Sequence, residues 1–259
     1  MAAAPMSDPS HLELAERAAR EAGRLLRARD AALLEADLRT HHDIKLTADR
    51  EAEALILAAL AATGIPVLAE ESGASGAARQ DGLRWVVDPL DGTANYARGL
   101  PLCCVAIGLL RREEPVLGLI HDFNRDETFS GGRALGAWLN GDPIEVSRVA
   151  TAEEAILATG LPARRDYSAA SLAEFGRSLG RWHKVRMLGS AALSLAYVAA
   201  GRADLYCEEA TLIWDVAAGC AIVEGAGGIV ERTARPAPGT YDVMAGNEAL
   251  VRHLAGHGS

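Results

Sequence analysis

At 259 residues, 49% hydrophobic and 24% charged, the chain can build one large α/β unit or two half-size ones sharing a core, and it is neither fibrous nor disordered. A formal net charge of −9 argues against non-specific nucleic-acid binding, which needs a basic face, and means that a phosphate substrate would need cations to neutralise it. The uncharged run 55–69 is broken by Thr63-Gly64-Ile65-Pro66 and is too short to cross a bilayer; residues 1–10 lack a basic-then-apolar leader pattern, so a cytoplasmic protein is expected.

Apolar positions at Leu12, Ala15, Ala19, Ala22, Leu26 and Leu33 predict an amphipathic helix over 9–38, capped by Asp8 or Ser10. Its arginines alternate with acids and read as a solvated face. Residues 40–45 read as a polar loop, and a second helix over 48–62 stops at Gly64-Ile65-Pro66. A short strand, 67–69, then ends in Glu70-Glu71-Ser72 ahead of a small-residue loop, 73–80.

Trp85-Val86-Val87-Asp88-Pro89-Leu90-Asp91-Gly92-Thr93-Ala94-Asn95-Tyr96 organises the rest. Its apolar half predicts a buried strand that Pro89 ends, leaving the Asp88 carboxylate at the strand's carboxyl end. Gly92 and Thr93 open a short helix whose first N–H groups favour an anion. Acids for a cation beside N–H groups for an anion suggest a metal-assisted phosphate site; the plain alternative is a tight Asp/Gly turn.

After a turn at Arg98-Gly99-Leu100-Pro101, strands over 102–110, 116–120, 127–130 and 143–146 predict a meander. His121 and Asp122, at a strand end, read as structural. Strands at 155–158, 185–187 and 205–207 alternate with helices at 168–179, 190–200 and 215–225, which implies a parallel or mixed sheet with helices on its faces. Strands near 229–231 and 242–245 and a helix from Asn247 close the chain; His253 and His257 fall in a Gly-rich tail read as disordered. Cys103, Cys104, Cys207 and Cys220 form no C-x-x-C pair and read as buried small hydrophobes.

Trp214-Asp215-Val216-Ala217-Ala218-Gly219 places an acid at the start of an apolar helix, either as a plain cap or as a site residue, with Gly219 leaving room for close packing. Were Glu70, Asp88, Asp91 and Asp215 to converge, their repulsion would make sense only around cations, and hard oxygen donors select Mg²⁺ over zinc. The Leu90 carbonyl is a natural extra ligand. No P-loop and no nucleophile elbow is present, and Gly225-Ala226-Gly227-Gly228 follows a helix, not a strand, so it is no dinucleotide fingerprint.

Ala69-Glu70-Glu71-Ser72, residues 85–95, Gly189-Ser190-Ala191-Ala192 and Trp214 to Gly219 occur in the order and rough spacing of the inositol monophosphatase family, which the chain resembles over nearly its whole length. The resemblance implies an αβαβα layered fold of the inositol monophosphatase and fructose-1,6-bisphosphatase type. No linker or composition shift marks a boundary, and Thr151 to Glu153 is only a weak candidate for one; an N-terminal half, 1–150, carrying metal and phosphate residues, and a C-terminal half, 151–259, completing the site, are expected to form one continuous unit. The resemblance further implies a lithium-sensitive phosphomonoesterase with two or three Mg²⁺ ions, working as a homodimer. By motif, Glu70, Asp88 and the Leu90 carbonyl would hold a first metal, with Glu70 and Thr93 orienting water. Asp88, Asp91 and Asp215 would hold a second metal, and Gly92 and Thr93 would grip the phosphate.

The family's Val-Thr ahead of an acid is replaced here by Asp43-Ile44-Lys45-Leu46-Thr47-Ala48-Asp49, and its basic residue near the metals has no clear match beyond Arg39. Asp49 fits a layer behind the metals or simply an acid in a helix's first turn. Glu208, seven residues before Asp215, is expected to accept hydroxyl hydrogen bonds of the alcohol, or else to be a solvated strand end; Gly189, Ser190 and Ala191 would form the opposite wall. Asn95-Tyr96 points to the inositol-phosphate branch, so myo-inositol 1-phosphate or a similar polyol phosphate is the expected substrate. Histidinol phosphate and 3′-phosphoadenosine 5′-phosphate are the alternatives, and a regulatory protein-binding module is the alternative of another class.

Overall fold

The structure, a computed structural model, describes residues 9–34, 36–39, 44–77 and 79–255; Asp8, most of the expected loop 40–45, and His257 lie outside the described residues. Helix α1 (Pro9–Ala28) is ten residues shorter than expected. Arg29 takes a left-handed φ of 49° and is anchored there, donating to the Tyr96 carbonyl at 2.8 Å and lying over the Tyr96 ring at 5.2 Å. A 3₁₀ turn (Ala31–Leu34) leads into β1 (Ala36–Arg39), antiparallel to β2 (Ile44–Leu46). The chain thus reverses where periodicity alone would have continued a helix.

Helix α2 (Thr47–Leu60) precedes β3 (Val67–Ala69), β4 (Gly73–Ser75), β5 (Leu83–Asp91) and the short α3 (Thr93–Arg98). β6 (Cys104–Arg111), β7 (Glu114–Asp122), β8 (Glu127–Gly132), β9 (Gly136–Leu139) and β10 (Asp142–Pro143) form the expected meander. Two details differ from the sequence expectation. β4 occupies part of the supposed loop 73–80, and β9 with the two-residue β10 replaces a strand over 143–146. These strands form one eight-stranded mixed sheet, ordered β10-β9-β8-β7-β6-β5-β3-β4, in which only β3 and β5 run parallel.

Then come β11 (Ile156–Ala158), α4 (Ala169–Leu179), β12 (Lys184–Arg186), α5 (Ala191–Ala199), β13 (Leu205–Leu212), α6 (Ile213–Gly225), β14 (Ile229–Ala234), β15 (Thr240–Gly246) and α7 (Glu248–Ala255). His253 therefore lies in a helix, whose start Asn247 caps by accepting the Leu250 N–H at 3.0 Å. The second sheet has five strands, ordered β12-β11-β13-β15-β14, and is also mixed. Cys103, Cys104 and Cys220 are buried as expected, whereas Cys207 is only half-buried.

Strand alternation fixes the layers. Trp85 and Val87, with Ile107, Leu109 and Leu119, pack against α1 and α2, while Val86 on the opposite face packs against α6. Each such large buried side chain contributes roughly 1.5–3 kcal/mol. Ala106, Ile120 and Phe129 meet α5 and α6, which also cover Tyr206, Val243 and Ala245 of the second sheet. Leu250 and Val251 of α7 and Leu179 of α4 close the far side over Leu157 and Leu205. The result is an αβαβα sandwich. Asp88, which shares parity with Val86, is thereby aimed at α6, the helix that Asp215 opens.

Candidate active site

Pro89 does not end β5. Pairing with β6 passes from Asp88↔Ala106 to Asp91↔Cys104, so the strand bulges over Pro89 and Leu90, where a missing N–H costs no ladder bond. The bulge lets both aspartates leave one strand toward the same region. Asp88, 2% exposed, accepts the Leu90 N–H at 3.0 Å. Asp91 Oδ2 accepts from Ser190 Oγ at 2.5 Å and from the Ala192 N–H at 2.7 Å, so the start of α5 is tied to the end of β5. Gly92, with φ 89°, then turns the chain into α3; a Cβ there would sit 2.7 Å from the Leu102 carbonyl oxygen.

Asp215 and Asp49 are held by one device. Each is the third residue of its helix and accepts the N–H of the residue before the helix: Leu212 at 3.1 Å and Leu46 at 2.7 Å. Asp49 Oδ1 in turn lies 2.9 Å from the Thr93 hydroxyl, which is also 3.0 Å from the Leu90 carbonyl oxygen. Glu70 follows directly on β3, its N–H donating to the Val87 carbonyl at 3.2 Å. Its turn is pinned from α2 by the buried Glu53, whose carboxylate accepts the N–H groups of Glu71 at 2.9 Å and Ser72 at 3.0 Å. Glu53 gave no sequence signal, and Asp49 gave only that of a first-turn acid, because the partners of both are set by tertiary packing.

The electrostatics of the cluster are those of crowded anions. Burial first, and then the charges of Glu70, Asp91 and Asp215, push the Asp88 carboxyl well above the usual range. Asp215 is pushed well above it by burial and by Asp91, Glu70 and Glu208. Burial raises Asp91 to about 6 against the hydrogen bonds from Ser190 and the start of α5, and raises Asp49 to about 6 against those from Leu46 and Thr93. Among the described residues no three His, Cys, Asp or Glu side chains close on one point in ion-holding geometry. What fits the cluster to a hard divalent cation is its all-oxygen donor set and a mutual repulsion that only positive charge relieves.

The expected alcohol-side residues are placed less uniformly. Ser190 is buried, and its hydroxyl donates to Asp91 while accepting the Leu193 N–H at 3.2 Å, so it serves the carboxylate and the helix start. Gly189 is exposed with φ 71°, and Ala191 is half-buried behind it. Asn95 Nδ2 donates to the carbonyls of Leu102 and Leu188, both at 2.8 Å, and Tyr96 is buried with its hydroxyl on the Leu26 carbonyl at 2.8 Å. Both residues tie α3 to its surroundings. Glu208 is half-buried in β13, which runs on to Leu212, five residues beyond its expected end; burial and the Asp91 charge raise its carboxyl to about 8. His121 and Asp122 are structural as expected: His121 Nδ1 meets Thr128 Oγ1 at 3.0 Å, and Asp122 accepts the N–H groups of Asn124 and Arg125.

A pH dependence follows. Carboxyls with raised folded pKa bind more protons folded than unfolded, so their stabilisation is complete below about pH 4 and is lost as pH rises through their folded values, about 6 for Asp91 and Asp49 and about 8 for Glu208. His121, lowered by burial, acts in the opposite sense below about pH 6.5, one group against five. The metal-free melting temperature should therefore fall between about pH 5 and 8, and saturating Mg²⁺ should raise it more at pH 8 than at pH 5. A Mg²⁺ shift equal at both ends would contradict the cluster.

Residues 9–257 match the inositol monophosphatase family. An inositol-1-monophosphatase of Mesorhizobium japonicum is 37% identical over 258 residues, 96% of each chain. Nus factor SuhB of Escherichia coli K12 is 36% identical over 252 residues, 94% of this chain and 93% of that one. Among solved structures, the inositol monophosphatase of Anabaena (Nostoc) sp. PCC 7120 superposes with a TM-score of 0.82 at 36% identity, covering 96% of both chains. No helix among the described residues is long and apolar enough to cross a membrane. With the layered fold and the carboxylate cluster at the junction of β5, α5 and α6, these likenesses establish that the chain belongs to the inositol monophosphatase family and is a phosphomonoesterase.

Proposed function

We propose that the chain hydrolyses myo-inositol 1-phosphate or a similar polyol phosphate with two or three Mg²⁺ ions. The observation that carries this reading is the gathering of Asp88, Asp91 and Asp215 beside the Asp49–Thr93 pair. Glu70, Asp88 and the Leu90 carbonyl would hold one ion, and Asp88, Asp91 and Asp215 another. When bound, such ions neutralise the phosphate and the charge that develops on the attacking and leaving oxygens.

The chain's own groups do the rest. The Thr93 hydroxyl, donating to Asp49, keeps lone pairs free to accept a hydrogen bond from the attacking water, and Asp49, at about 6, is poised to take a proton through it near neutrality. Glu70 orients the same water from the end of β3. The N–H groups of Gly92 and Thr93, first in their helix and without intrahelical partners, take phosphate oxygens. Glu208 accepts hydroxyl hydrogen bonds from the alcohol, opposite a wall of Gly189 and Ala191, with Ser190 beneath it holding Asp91. On the family resemblance, Li⁺ inhibits the enzyme, and it works as a cytoplasmic homodimer; a monomer by light scattering at micromolar concentration would contradict the dimer.

Hydrogen bonds to substrate hydroxyls discriminate far better than apolar contacts, so specificity is the test. kcat/KM should be highest for inositol 1-phosphate when compared with histidinol phosphate and 3′-phosphoadenosine 5′-phosphate. A preference of ~100-fold for either alternative would reject the substrate while leaving the chemistry. A second reading, a regulatory protein-binding role, has the SuhB-named relatives in its favour. A pure binder, however, has no use for mutually repelling buried carboxylates.

A further inference from the structure

We propose that the loop after β11, through Arg165, sets the polyol specificity of the site by fixing the position of Glu208; this rests on Glu208 being the hydroxyl acceptor. Three consecutive β13 residues are clamped from that one loop. Thr159 Oγ1 donates to the Cys207 carbonyl at 2.6 Å. Gly160 lies directly against the Glu208 carboxylate, which a Cβ at 160 would meet at 2.6 Å. Arg165 Nη1 pairs with Glu209 Oε2 at 3.3 Å.

Arg165 is unusual among the chain's arginines. Its side chain is 4% exposed and its guanidinium lies over the Phe175 ring of α4 at 4.6 Å. A planar, weakly hydrated guanidinium is the side chain suited to such a stacked, buried pairing, and Lys is no substitute there. Among the described residues its Nε–H is buried with no hydrogen-bond partner, a donor left for a water or a bound hydroxyl.

The segment it holds needs holding. Between Glu208 and Thr211 the pairing of β13 with β15 breaks register, and Ala210 sits at φ 58°. A non-glycine residue in that region persists only where its surroundings over-determine it. Here Asp242 accepts the Ala210 N–H at 2.9 Å and also pairs with Arg235, which reaches Glu209 at 3.3 Å. Glu209 is thus shared by Arg235 on one side and Arg165 on the other, and Glu208 is presented from between these ties and Gly160.

Steady-state kinetics with saturating Mg²⁺ on inositol 1-phosphate and on p-nitrophenyl phosphate, whose leaving group has no hydroxyl to place, separate positioning from general damage. Arg165→Met should raise KM for inositol 1-phosphate about tenfold, and lower the ratio of kcat/KM for the two substrates by a similar factor, with kcat changed far less. Arg165→Lys should recover only part of the ratio. Gly160→Ala, which displaces Glu208 without touching Arg165, should shift the ratio the same way and serves if Arg165→Met does not fold. Equal losses on both substrates in these variants would mean a merely structural role and overturn the proposal. Glu208→Gln is the control on the underlying reading: an unchanged ratio there rejects Glu208 as the hydroxyl acceptor and the proposal with it. A lowered ratio there with an unchanged one in Arg165→Met rejects only the role of Arg165.

Discussion

Asp91→Asn and Asp215→Asn should each lower phosphatase activity by about a hundredfold or more while the fold survives. Each substitution removes one charge from the donor set with almost no change of shape. A metal contributes several kcal/mol of transition-state stabilisation, and each 1.36 kcal/mol lost is tenfold in rate. In Asp91→Asn the amide oxygen can take over the acceptor role of Oδ2 toward Ser190 and Ala192, so the tie between β5 and α5 remains. In Asp215→Asn the same oxygen can accept the Leu212 N–H. Because burial disfavours both carboxylates, and at Asp215 the charges of Asp91, Glu70 and Glu208 add to it, the metal-free melting temperature at pH 8 should stay at or above that of the wild type. Near-normal turnover in either variant would reject that residue as a ligand.

Gly118→Ala should be the most damaging glycine-to-alanine change among the described residues. A Cβ at 118 would lie 1.9 Å from the Ala218 carbonyl oxygen and 2.7 Å from its carbon, so β7 and α6 touch backbone to backbone. Overpacking of this kind costs about 1–3 kcal/mol or more, and backbone cannot rotate away as a side chain can. For a chain of this size that lowers the melting temperature by roughly 2–4 °C per kcal/mol. Because α6 begins with the Asp215 turn, the displacement should also weaken Mg²⁺ binding. Gly108→Ala is the internal comparison: its nearest contacts, the Ala217 side chain at 3.1 Å and the Ala218 nitrogen at 3.2 Å, ask for far less movement. Equal melting temperatures for the two variants would contradict the packing described.

The central strand and the α6 start were legible because they rest on local periodicity, an apolar run ending in acids and an apolar helix opened by Asp215, whereas the layered class came from the family resemblance. Gly219 was readable for the same reason, and a Cβ there would meet the Leu195 side chain at 2.4 Å. What escaped lies in tertiary contacts. Pro89 looked like a stop because a proline usually is one, yet a bulge absorbs it. Arg29 ends α1 through Tyr96, 67 residues away, and Thr93 finds Asp49 44 residues back; neither pairing leaves a trace in local pattern. Asn95 and Tyr96 pointed toward substrate choice, whereas in the fold they brace α3. Glu208 was legible as an acid near Asp215, but the register break that presents it was not.

The most direct measurement is phosphate release from inositol 1-phosphate by the full chain, in Mg²⁺ and then in excess chelator. The carboxylate cluster predicts turnover that depends on Mg²⁺, collapses on chelation and returns when Mg²⁺ is restored. Equal rates with and without the chelator would contradict a metal-assisted site built on Glu70, Asp88, Asp91 and Asp215.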